Sequence, residues 1–225
     1  PQPDGWIESL AYYEKVVFQF GRNLQRLFGF TDASSSMVVM ERETLERLGG
    51  YSDDTLTEDV DFTHTCYREG VTVRDTYRFP ARSEAAHTLR DLWGQRKRWV
   101  KGRLMVAKKE ITSFLLSPSI RSFVSMFMAV SSVAGSLFML TLVSKFLVLF
   151  LLGAQVFYTT PLVVFLTAVV LTRLVDTWQG HVDRVGPDWI AAPFILPFYS
   201  LITAKSVFEY VFDSDPVWYQ VEKSA

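Results

Sequence analysis

Two stretches decide how this chain reads: Thr57-Glu58-Asp59, and Gln95-Arg96-Lys97-Arg98-Trp99 with the uncharged run 122–144 behind it. The first places two carboxylates at the start of a helical pattern. The second places a cationic cluster on an amphipathic pattern, just ahead of apolar segments. A carboxylate that could act as a base, cations that could hold a diphosphate, and a membrane anchor follow one another in that order.

Working outward, the chain has 225 residues, enough for one or two domains with a buried core. Its 23 Lys and Arg against 24 Asp and Glu leave a net charge of −1, which by itself points to no partner. Nothing calls for nucleic acid. The distribution is more telling. Glu41, Glu43, Glu46, Asp53, Asp54, Glu58, Asp59 and Asp61 crowd one stretch, and Arg90, Arg96, Lys97, Arg98, Lys101, Arg103, Lys108, Lys109 and Arg121 crowd the next. A basic block before apolar segments suits an anionic cytoplasmic leaflet. The single Cys66 excludes an internal disulfide, fits a reducing compartment and reads as a small buried hydrophobe. No signal peptide is visible at the start, and without an initiator Met the chain reads as a piece of something longer.

Trp6, Leu10, Tyr13, Val17, Phe20 and Leu24 recur at helical spacing, which predicts a helix over 1–30. A short strand is expected at 33–40, and a short helix over 41–48 is stopped by Gly49-Gly50. A further helix is expected from Asp59 to Gly70, then strands at 71–74 and 77–79. Helices alternating with strands predict an α/β layer packing. Over 88–109, Leu89, Leu92, Trp93, Trp99, Val100, Leu104 and Ala107 make an apolar face opposite basic residues, the pattern of a helix lying in a membrane interface.

Beyond it, 122–144 and 146–172 carry no charge, and each exceeds the roughly 20 residues that a span needs. Only Lys145 separates them, which predicts a tight hairpin with its tip outside, given Arg121, Arg173 and Arg184 at the other ends. The run 189–204 is shorter and holds Pro193 and Pro197, so it reads as re-entrant or interfacial.

Acidic residues at a helix start have a bland explanation, since the macrodipole is positive there. The chemical one is that a sugar hydroxyl needs a positioned base to displace a diphosphate. His64, one turn on, reads as a helix-face residue. Three successive cations are usually a solvated face, yet Arg also grips phosphate with two parallel bonds and stabilises a leaving diphosphate. Trp99 offers a flat face for a sugar ring, and Gln95, Arg98 and Trp99 share one side of a helix.

Thr57-Glu58-Asp59 followed by Gln95-x-x-Arg98-Trp99, ahead of membrane segments, resembles the family-2 processive glycosyltransferases, the hyaluronan, chitin and cellulose synthases among them. Glu41-Arg42-Glu43-Thr44-Leu45, Leu48-Gly49-Gly50-Tyr51 and Leu89-Arg90-Asp91-Leu92-Trp93 agree with it. The resemblance is close over about 30–110 and holds only in kind beyond. It implies the C-terminal part of a glycosyltransferase-A fold, followed by an interfacial helix and an all-α transmembrane region. The implied division is 1–87 as the acceptor side of a cytosolic domain, 88–121 interfacial, 122–212 transmembrane and 213–225 a cytosolic tail.

It also implies roles. Asp59 would be the general base, with Thr57 and Glu58 shaping its surroundings. Gln95, Arg98 and Trp99 would close over the nucleotide diphosphate and the acceptor. Ser35 and Ser36 would line the acceptor site, although the family usually has Gly at Ser35. Trp218 and Lys223 would fold back toward the nucleotide. The partners implied are a nucleotide-diphospho-sugar, a polysaccharide or lipid acceptor and a bilayer. A divalent metal, Mg or Mn, is implied through an upstream Asp-x-Asp that this chain lacks. Asp59-Val60-Asp61 overlaps the base motif, and Asp213-Ser214-Asp215 reads as a polar turn.

Overall fold

The computed structural model describes residues 5–31, 38–74, 85–152, 166–167, 170, 174 and 192–212. Its helices are α1 (Trp6–Arg26), α2 (Arg42–Arg47), α3 (Glu58–Arg68), α4 (Leu89–Leu116), α5 (Ile120–Leu151) and α6 (Ala192–Phe212). The long α4 is the axis against which α1, α3, α5 and α6 all pack.

Local chemistry sets the element ends. Thr88 caps α4: its Oγ accepts from the Asp91 amide at 3.0 Å and donates to the Asp91 carboxylate at 2.5 Å. The helix runs past Lys109 to Leu116 and stops where Pro118 disfavours helical backbone at Ser117. Ser119 and Ser122 then cap the start of α5 reciprocally, each hydroxyl accepting from the other residue's amide. Gly49 and Gly50, with φ of 82° and 75°, end α2 as anticipated: the Gly50 amide reaches back to the Leu45 carbonyl at 3.0 Å.

Three apolar clusters lie along α4. Leu92 joins Leu10, Ala11 and Tyr13 of α1 with Ala86. Val100 joins Tyr199 and Ile202 of α6, with Trp93 and Phe18 packed alongside. Val106 and Ala107 meet Ala129 of α5 and Val60 of α3. The predicted α1 stripe is half right: Leu10 and Tyr13 are buried, but Trp6 is 49% exposed. Leu89 likewise lies outside, on the first exposed turn of α4. Cys66 is buried as read, and burial pushes its thiol pKa up.

Several expectations need correction. The described residues contain no strand, so the α/β layering is not seen among them. At 71–74 the reason is local: the Val71 amide bonds the Cys66 carbonyl at 2.9 Å and closes α3, and among the described residues no neighbouring strand supplies a ladder. Residues 33–37 and 77–79 lie outside the described residues. The hairpin at Lys145 is also overturned, because α5 continues through that position to Leu151. Among the described residues no helix is long and apolar enough to cross a membrane. Most of 146–172 is outside the described residues. The third run is a 21-residue helix that extends through Lys205 and Glu209, longer than the short re-entrant segment expected.

The basic face of α4 is revised too. Arg96 pairs with Glu14, Lys97 and Lys101 with Glu209, and Lys109 with Asp61, while Arg103 donates to the Tyr199 hydroxyl at 2.9 Å. Cations that the sequence suggested for a lipid surface mostly bind other helices.

Candidate active site

Asp59 and Glu58 open α3, where the macrodipole favours negative charge. Glu58 is exposed and Asp59 half-buried. The Val60 amide donates to Asp59 Oδ1 at 2.8 Å, which orients the carboxylate. Thr57 is the N-cap residue, but its side chain does not cap. Instead it is driven against α4: a Cβ on Gly102 would sit 2.5 Å from both Thr57 Cγ2 and Oγ1. Only glycine allows that approach.

Arg98 lies one helical turn before Gly102 on the same side of α4. Its Nη1 donates to the Leu56 carbonyl at 3.4 Å, just upstream of Thr57. The two stretches therefore meet: Leu56 and Thr57 sit on the side of α4 that carries Arg98 and Gly102. Asp59 meets α4 through its neighbours Leu56 and Thr57.

Gln95 and Trp99 are joined differently. Arg96 donates from Nη1 to Gln95 Oε1, and its guanidinium lies 4.1 Å above the Trp99 ring. One face of the indole is thus covered, which leaves only the opposite face for the sugar expected there. Arg96 is 2% exposed and anchored by Glu14 of α1 at 2.5 Å. Ser35, Ser36, Trp218 and Lys223 lie outside the described residues.

His64 is no base. It is buried, its Nδ1 lies 2.8 Å from Ser125 Oγ of α5, and burial, reinforced by Arg68, pulls its pKa down to about 3. Asp61 is buried as well and held by Lys109 at 2.7 Å, about two turns from Arg68, which pairs with the fully buried Glu110. No group of three or more His, Cys, Asp or Glu among the described residues could hold a metal ion. The residues of Asp59-Val60-Asp61 do not fit one, since Asp61 is already bonded to Lys109 and Asp59 to a backbone amide.

Four residues escaped sequence reasoning as parts of this site. Arg96 looked like one more surface cation, and Glu14 like one acid on an amphipathic helix. Gly102 gave no signal beyond being a glycine inside a helix. Tyr51 was noted only within a phrase. Its ring packs on Phe62 of α3 at 4.7 Å, and its hydroxyl pKa is raised by partial burial and then by the charge of Asp59.

A match to the family described as Glycosyl transferase family group 2 extends over residues 7–175 and takes in α1, both motifs, α4 and α5. The chain belongs to that family. Among curated proteins, this family member is 29% identical over 111 residues to the "Probable glycosyltransferase YdaM" of Bacillus subtilis (strain 168). The aligned part is 48% of this chain and 25% of that relative, so the chain spans about a quarter of the relative's length. No solved structure matches the chain.

Proposed function

We propose that this family member is the acceptor-side part of a membrane-embedded glycosyltransferase. It moves a sugar from a nucleotide-diphospho-sugar to a growing polysaccharide, with inversion at the anomeric carbon. The observation that supports the reading is the junction at Gly102, where Thr57 packs closely against α4 and Arg98 bonds the Leu56 carbonyl just ahead of the Thr57-Glu58-Asp59 segment.

Asp59 takes the proton from the acceptor hydroxyl as that oxygen attacks the anomeric carbon. The bond to the diphosphate breaks on the opposite side, and Arg98 faces the charge that develops there. Thr57 and Glu58 shape the approach to the base. Gln95 and the other face of Trp99 border the donor and acceptor sugar, and the acceptor roles of Ser35 and Ser36 and the nucleotide roles of Trp218 and Lys223 belong to the same reading. A divalent metal on the diphosphate is held by residues outside this chain.

The proposed layout keeps 1–87 as the acceptor side of the catalytic domain and 88–121 as the motif-bearing region. Residues 122–212 form the membrane part and 213–225 a cytosolic tail, in a multi-pass protein of the cell membrane. Membrane contact is supported by Ile120, Phe123, Phe127, Val130 and Phe138. The first four of these large apolar side chains are exposed at spacings of three and four along α5, and Phe138 follows about two turns on.

The test uses membranes containing the full-length protein, supplied in turn with radiolabelled UDP- and GDP-linked sugars. A labelled polymer retained after lipid extraction is expected. Label found wholly in the lipid extract would replace the polysaccharide acceptor with a lipid one, and no product from any donor would remove the transferase reading.

A further inference from the structure

The residues between Gln95 and Arg98 look interchangeable in sequence, yet Arg96 is the best-held side chain of the motif. It is nearly fully buried, although it lies in a run of four polar residues. Its Nε donates to Glu14 Oε2, its Nη1 donates to Gln95 Oε1, and its plane covers Trp99 at 4.1 Å. Glu14 is buried with it, and burial raises the Glu14 pKa against the opposing pull of Arg96.

We propose that Arg96 is a positioning residue: anchored to Glu14 of α1, it sets the orientation of the Gln95 carboxamide and the Trp99 indole. This rests on the reading of 95–99 as part of the transfer site.

The chemistry follows from what a guanidinium can do. Arg only donates, so the atom of Gln95 facing it must be the carbonyl oxygen. The Gln95 NH₂ is then turned the other way, as a donor suited to an oxygen of a phosphate or sugar. The same guanidinium fixes the tilt of the indole by stacking on it. No other side chain combines the three contacts, because an ammonium is a point charge without a plane or a fork. Glu14 comes from a helix 82 residues away in sequence, so the motif is oriented by α1 as well as by its own helix.

The experiment measures transfer by the full-length protein in membranes, with UDP- and GDP-linked hexoses as donors, beside its thermal midpoint. Arg96→Lys keeps a cation opposite Glu14. It is expected to keep the midpoint near wild type and to lower turnover about 10- to 100-fold, the scale of a small misplacement in a site. Because Arg96 acts through Gln95 and Trp99, adding Arg96→Lys to the double variant Gln95→Ala/Trp99→Phe should slow transfer no further. Wild-type turnover in Arg96→Lys, or a further loss when it is added to that double variant, would overturn the proposal.

Should Arg96→Lys fail to fold, Glu14→Gln decides, since it retains an acceptor for Arg96 without the charge. Reduced turnover at an unchanged midpoint supports the positioning role, and unchanged turnover refutes it. If Trp99→Phe and Asp59→Asn both transfer at the wild-type rate, the reading of the site itself is wrong, and that result is distinct from a failure of Arg96 alone.

Discussion

Asp59→Asn keeps the shape that accepts the Val60 amide and removes the basicity. Transfer by the full-length protein should fall on the order of 100- to 10,000-fold, with nucleoside-diphosphate binding nearly unchanged. Turnover at the wild-type level would take Asp59 out of the mechanism. His64 leads to a different measurement. Its folded pKa of about 3 lies below the ordinary 6.5, so between those values the unfolded chain holds a proton that the folded chain does not. Stability should therefore fall as pH drops through that window, by about 1.4 kcal/mol per unit at most. His64→Gln should flatten that part of the midpoint-versus-pH curve, and an unaltered slope would show that other groups carry it. At this scale the sequence is legible where chemistry dictates the residue type. Asp59 and Arg98 stand out because few other side chains could do their work. Arg96 and Glu14 do not, since their meaning comes from a contact across 82 residues.

Among the elements, the junction of α3 and α4 invites a paired substitution. Gly102→Ala pushes a methyl into Thr57 and should cost about 1–3 kcal/mol, with turnover falling as the segment carrying Asp59 is displaced from α4. Gly135→Ala in α5 meets nothing within 4 Å and should be neutral or gain up to about 1 kcal/mol of helix propensity. Equal midpoints for the two variants would mean that the junction has room to relax. The Arg68–Glu110 pair tests burial: Arg68→Met strands a carboxylate with no exposed surface and should cost about 3–5 kcal/mol. Adding Glu110→Leu should restore most of that loss, and a double variant no better than the single would argue against the pair. Helices were readable here from periodicity, and the stop of α2 from the Gly49-Gly50 pair. The strand expected at 71–74 was not, because β-branched composition cannot reveal that the Val71 amide is already committed to closing α3. The cations of α4 misled for a related reason: a charge count says nothing about whether Glu14, Asp61 or Glu209 waits opposite.

For the whole molecule, the proposed membrane embedding assigns a side to each end. If the tail beyond α6 returns to the transfer site, residues 95–99 and 218–224 share the cytosol. A Cys placed at Ser224 in a Cys66→Ser background should then resist a membrane-impermeant thiol reagent in intact cells and react after lysis. Labelling in intact cells would separate the tail from the chemistry and end the proposed role of Trp218. The uncharged runs were plain in the sequence, but the bend assigned to Lys145 was not there, since one charge does not break a helix whose neighbours favour it.

The contact between Gly102 and Thr57 also works as a phase lock. Each residue turns a helix by about 100°, so Arg98 and Gly102 face α3 together only because they are four positions apart. Adding or deleting one residue between Trp99 and Gly102 would swing the notch away from α3 while leaving every motif residue in place. The same change after Leu116, beyond the end of α4, would leave that phase intact. The spacing from motif to notch is as much a part of the site as the motif's letters, and length changes should be tolerated on one side of Gly102 and not on the other.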